Sequence, residues 1–149
     1  MQQAVSARAP AHLWITGAVA LLWNGFGCTD YLMSRMHNDA WFKAMLPDMD
    51  PAVAYTYVDS MPVYASGGWG LGVWGGLLGA ILLLARSRYA VHAFAVSFIG
   101  MLLSFGWQLF VATDVPPDMS DPIMPAVITV IGLFLLWYSR TMEKRGVLR

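Results

Sequence analysis

Charge is scarce in this sequence. Lys, Arg, Asp and Glu together make up 12% of 149 residues, about half the usual share for a soluble domain, while hydrophobic residues reach 58%. That balance excludes a separate soluble domain and places the chain among membrane proteins. The formal net charge is zero, which leaves no basic surplus for nucleic acid. Cysteine is almost missing too: Cys28 alone makes neither an internal disulfide nor an all-cysteine metal site. No nucleophile is paired with a base, and no glycine loop follows a strand to cradle phosphate, so no enzyme and no resident cofactor are expected.

Uninterrupted apolar sequence is what the chain has in quantity. Tyr64–Leu84 carries no charge and is closed by Arg86-Ser87-Arg88, after which a second apolar run begins at once. A helix of that length fits the hydrocarbon core of a bilayer, and the three-residue turn sends the next helix back antiparallel. Two further runs flank this hairpin. The sequence therefore predicts an all-α, polytopic membrane protein, one domain over 1–149. Its four transmembrane helices fall at about 13–32, 64–85, 89–112 and 122–139, with outer loops at 33–63 and 113–121. The first run follows Arg8 in the manner of a signal peptide, but it is long for the apolar core of one and is read as a retained span.

The charges sort by side. With four spans, Arg8, Arg86, Arg88, Arg140, Lys144, Arg145 and Arg149 share one face, and only Arg35 and Lys43 lie opposite. The basic face is expected in the cytoplasm, giving N-in and C-in topology in a bacterial inner membrane. Every aspartate lies in or beside the connections assigned outside. The first of these is structured. Asn38 can cap a short helix stopped by Pro47, and Asp50-Pro51 opens a second that runs toward Pro62. Two short helices rich in aromatic and methionine residues suit the interface and form a lid over one end of the bundle.

Inside the spans, Gly68, Gly72 and Gly76 recur every fourth residue, and Gly75 and Gly79 make a second such pair. A face of nearly bare backbone lets another helix approach closely, either within the chain or from a neighbour. Asn24 and Gln108 are amides within the first and third spans, and each either bonds another helix or lines a solute path. Asp30 ends the first span and could, with Asp59, Asp114, Asp118 and Asp121, gather a cation or relay protons; hydration at the interface is the plainer role. Met33, Met36 and His37 form a soft-ligand cluster suited to Cu(I), with Cys28 below it and Met45, Met49, Met61, Met119 and Met124 in the same half. Methionine as gap filler is the alternative. His12 and His92 sit at similar depth and could ligate haem, or simply remain hydrated.

The run Leu22-Trp23-Asn24-Gly25-Phe26-Gly27 with Asp30-Tyr31, followed by Trp69-Gly70-Leu71-Gly72-Val73-Trp74-Gly75-Gly76, resembles a group of small four-helix bacterial inner-membrane proteins. Members are mostly uncharacterised, and some are loosely labelled sugar transporters. The resemblance implies a small-solute path in which Trp23, Asn24, Trp74 and Gln108 would serve. Three functions follow as expectations. The first is an oligomeric transporter or channel with its path between protomers, because four short helices enclose little volume. The second is a non-catalytic accessory subunit docked on a larger membrane complex. A metal- or haem-binding membrane protein is the third. The expected partners are the lipid bilayer with further copies or other membrane subunits, and no nucleic acid.

Overall fold

A computed structural model describes residues 9–149, and the expectations attached to Arg8 lie outside the described residues. Among the described residues the chain is all helical, with no strand. Its helices are α1 (Ala11–Arg35), α2 (Asp39–Met45), α3 (Pro51–Ser60), α4 (Val63–Leu84), α5 (Tyr89–Phe110) and α6 (Ile123–Lys144), with a single 3-10 turn at Pro117–Met119. Three segments are long and apolar enough to cross a membrane: α4, α5 and the stretch Pro117–Lys144 that contains α6. The polar residues His12, Asn24 and Asp30 dilute α1, the longest helix.

Helix α4 packs against both α1 and α5, and α6 packs against α5 and also meets α1 at their shared end. Its two flanks are antiparallel contacts read directly from what meets each glycine. Toward α5, a Cβ built on Gly68 would fall 2.6 Å from the Gly100 carbonyl oxygen, Gly72 faces the Met101 backbone, Gly75 faces Ser97, and Gly79 is filled by the Phe94 ring. Toward α1, Gly17 takes Leu84, Gly76 takes the Asn24 amide, Gly27 takes Val73, and Gly70 meets the Tyr31 hydroxyl. As residue numbers rise along α1 they fall along α4, over nearly the full length of both. Gly68, Gly72, Gly75 and Gly79 thus form one heptad-like row against α5, and Gly76 sits between the flanks, facing Asn24 of α1 and the Ser97 hydroxyl of α5.

Three helices end in the same way, with a residue in the left-handed region and crossed backbone hydrogen bonds to the last turn. His37 (φ 52°) does so for α1, Arg86 (φ 59°) for α4, and Gly146 (φ 70°) for α6. After α6 the Gly146 N–H donates to the Glu143 carbonyl (2.9 Å), as His37 and Arg86 do in their helices, and the Val147 N–H donates to the Met142 carbonyl (3.0 Å), as Asn38 and Ser87 do. Only the third uses glycine. The reversal after Gly146 turns Val147 and Leu148 inward, where they are 4% and 5% exposed. Beyond them the Arg149 N–H donates to the Arg86 carbonyl (2.7 Å), and the Arg88 N–H donates to the Arg149 carbonyl (2.8 Å). The C-terminal segment is therefore a plug at the α4–α5 turn. It packs with Leu13, Ala80, Leu83, Ala90, Phe94, Leu135, Tyr138 and Met142.

That end of the bundle, the turn end, holds the main core. The opposite end, the lid end, is closed by α2 and α3. Asn38 accepts from the Trp41 N–H (2.9 Å) and Asp50 from the Ala52 N–H (3.0 Å), capping the two short helices, and Pro51 begins the second. Phe42, Met49, Ala54 and Val58 bury together under them and rest on Trp69 of α4. Boundaries shift where packing outruns hydropathy: α1 continues past residue 32 to Arg35, and α6 continues past residue 139 to Lys144, beyond the apolar runs that defined them.

Candidate functional site

Of the polar residues in the long helices, Asn24 and Ser97 come together at Gly76, while Asp30 and Gln108 are bound elsewhere. Asn24 lies midway along α1, its Nδ2 donating to the Ala20 carbonyl (2.8 Å), with its amide seated over Gly76. Ser97 of α5 donates to the Gly72 carbonyl at the same level. Gln108, at the end of α5, donates from Nε2 to the Met119 carbonyl (2.9 Å) and ties down the loop before α6. Trp23 and Trp74 both point their rings to the outside of the bundle. Trp23 borders a groove of about 330 Å³ between α1 and α6, lined otherwise by Ile15, Thr16, Val19, Ala20, Ile131, Phe134 and Leu135. Asn24, Asp30, Gln108, Trp23 and Trp74 therefore share no common lining.

Asp30 is half-buried and accepts from the Trp41 indole N–H (2.8 Å). The bond draws Trp41 away from the lid core and onto α1, where it also lies 5.7 Å from the Phe26 ring. Four-residue spacing pairs Trp41 with Met45 on one face of α2, so the sequence did not single Trp41 out as the partner of Asp30. Beside it the end of α1 is bound to α3. His37 Nε2 lies 3.2 Å from Asp59 Oδ1, the His37 ring stacks on Tyr55 at 4.3 Å, and the Tyr55 hydroxyl donates to Asp39. Burial, the hydrogen bond and the charge of Asp39, in that order, push the Tyr55 phenol up to about 12. The structure thus gives the imidazole a carboxylate and a ring for neighbours. Met36, 71% exposed, is turned to the surroundings, and Met33 is half-buried on α1. Among the described residues no group of three or more His, Cys, Asp and Glu side chains is placed to hold a metal ion.

At the turn end, His12 is hydrogen-bonded to the Tyr138 hydroxyl, joining α1 to α6, and His92 is exposed beside Tyr89. The imidazole of His12 acts there as a clamp between the first and last helices.

A concavity that the sequence reading missed lies on the other side of the lid. Val53, Thr56, Tyr57 and Ser60 present one face of α3, and Trp107, Val111, Ala112, Thr113, Asp114 and Pro116 face them from the end of α5 and its following loop. It is open on one side and holds about 540 Å³. Burial pushes the Tyr57 phenol up, so it stays a neutral donor at ordinary pH. The signal was present: positions 53, 56, 57 and 60 fall on one helical face and mix hydroxyls with an aromatic ring. Comparison with protein-family models, with curated proteins and with solved structures finds no match to this chain.

Proposed function

We propose that this chain is a four-span inner-membrane protein with both termini in the cytoplasm, acting without catalysis as an accessory subunit whose spans anchor an outward-facing lid. The fourth span is α1. Its contacts with α4 run from Gly17 at Leu84 to Tyr31 at Gly70, so a bilayer crossed by α4 is crossed by α1 at the same depth. At about 1.5 Å per residue, the 25 residues of α1 exceed the thickness of the hydrocarbon core. Arg86, Arg88, Lys144, Arg145 and Arg149 gather at the turn end, whereas Arg35 and Lys43 lie at the lid end, and that asymmetry supports a cytoplasmic turn end.

The observation that carries the accessory reading is that the polar side chains nearest the middle of the bundle bond locally. Asn24, Thr29, Ser97, Thr129 and Ser139 each donate to a backbone carbonyl within the bundle. Among the described residues no buried side-chain nitrogen or oxygen lacks a partner. A solute path needs polar groups left over to replace water, and these helices keep none aligned through the bilayer. The glycine row is also covered by α5 of the same chain. Chemical variety is instead concentrated in the lid.

A second reading, an oligomeric transporter, is supported by the α1–α6 groove, against which a neighbouring copy could pack. Native mass spectrometry of gently extracted protein separates the two. A fixed stoichiometry with other subunits is the result the accessory reading expects; a homo-oligomer carrying a polar solute contradicts it. On the accessory reading Asn24→Ala and Gln108→Ala leave solute flux across reconstituted vesicles unchanged.

A further inference from the structure

The cavity between α3 and the end of α5 is chemically one-sided. Thr56 donates to the Ala52 carbonyl (2.8 Å), Ser60 to the Tyr57 carbonyl (2.7 Å), and Thr113 to Asp114 Oδ2 (3.1 Å). With their hydrogens engaged, these three hydroxyl oxygens face a ligand as acceptors. Asp114, exposed at the mouth, adds a carboxylate, and among the described residues no Lys, Arg or His lines the cavity. Such a rim repels an anion and receives N–H donors.

The walls complete the description. Tyr57 and Trp107 line the cavity with ring centroids 5.6 Å apart, and they are 9% and 7% exposed. Aromatic rings attract cations, most strongly where water is kept away. The Tyr57 hydroxyl and the Trp107 indole N–H make no hydrogen bond among the described residues. They are donors available to an oxygen on the same ligand. The volume of about 540 Å³ falls within the range of about 300–1,000 Å³ typical of small-molecule sites.

We propose that this cavity binds a small organic ammonium ion, with its nitrogen at Asp114 and the rim hydroxyls and its carbon arm against Tyr57 and Trp107. The proposal rests on the outward placement of the lid. The same chemistry is offered by a free amino alcohol and by the ethanolamine headgroup of a lipid, since the cavity lies where the lid meets the bilayer.

The test uses the full-length protein in nanodiscs of phosphatidylglycerol, which carry no amine, titrated with ethanolamine and, separately, with ethylene glycol as its uncharged counterpart. The readout is the indole N–H resonance of Trp107, assigned by its disappearance in Trp107→Phe. Ethanolamine is expected to shift that resonance at concentrations where ethylene glycol does not, and Asp114→Asn to weaken binding by about tenfold or more. Thr56→Lys, at an exposed position, tethers a competing ammonium in the cavity and abolishes the response. Repeating the titration in discs that contain phosphatidylethanolamine identifies the source. Loss of the ethanolamine response there, with the lipid retained by the wild type and not by Asp114→Asn, assigns the headgroup; persistence assigns a free amine. Equal responses to the two probes, or an undiminished response in Asp114→Asn, would overturn the proposal. Because subunit stoichiometry is measured independently, that failure would leave the accessory reading standing, and a homo-oligomer that still binds ethanolamine would do the reverse.

Discussion

Gly68 and Gly67 are neighbours in the chain with opposite tolerances. A Cβ at Gly68 meets the Gly100 carbonyl oxygen at 2.6 Å and the Leu103 Cβ at 3.0 Å, whereas one at Gly67 meets nothing within 4 Å. Backbone cannot step aside as a flexible side chain can. Gly68→Ala is therefore expected to destabilise the α4–α5 pair by about 1–3 kcal/mol, and Gly67→Ala to be neutral or stabilising by up to about 1 kcal/mol. Thermal unfolding in detergent compares the two. Tyr55 makes a second residue-scale prediction, in pH. Its phenol is raised from 10.0 to about 12 in the folded protein, so the folded state binds that proton more tightly than the unfolded chain does. The stability associated with it is fully present below pH 10 and is lost as the pH rises through about 12. Tyrosinate absorbance should show a phenol titrating near the upper value that disappears in Tyr55→Phe, and the lid of that variant should lose this alkaline sensitivity. The sequence showed that these glycines bring helices close. It did not show to which helix, because spacing defines a face and only the assembled bundle defines its neighbour.

Among the elements, the two short helices of the lid were legible because their signals are local. Asn38, Asp50 and Pro51 act within a turn of themselves, and no distant packing overrides them. The hairpin of α4 and α5 was legible for the same reason, a charged turn of three residues between two apolar runs. The plug at residues 147–149 was obscured by the surrounding Arg and Lys, although Gly146 followed by Val147 and Leu148 is the pattern of a helix that ends in a reversal and buries what comes next. Its role is measurable. Leu148→Ala removes a side chain that is 5% exposed in the main core and is expected to cost about 2–4 kcal/mol. Removal of Val147, Leu148 and Arg149 together also takes away the backbone bonds to Arg86 and Arg88, and should loosen the turn end more than the point variant does. Limited proteolysis at the α4–α5 turn reports this directly. The cavity between α3 and α5 eluded the sequence because its two walls are about fifty residues apart, and neither α3 nor the loop after α5 marks the other.

At the scale of the whole molecule, the main buried core lies at the turn end, where α1, α4, α5, α6 and the C-terminal plug meet. Only 6% of the apolar stretch of α6 is buried inside the protein, against 28% for α4 and for α5, so most of its surface is left to lipid or to a partner. Polar groups of the spans are retained within the bundle, and what is chemically varied lies in the lid. That division holds only if α1 spans the bilayer beside α4 despite its diluted hydropathy. Cysteine accessibility tests it most directly. In a Cys28→Ser background, single cysteines are placed at Ala11, Ala44, Ser87 and Ser120 and exposed to a membrane-impermeant maleimide before and after permeabilisation. Ala44→Cys and Ser120→Cys are expected to react in intact cells stripped of their outer envelope, and Ala11→Cys and Ser87→Cys only once the membrane is opened. Labelling of Ala11→Cys from outside, together with Ala44→Cys, would remove α1 from the membrane and contradict the four-span account.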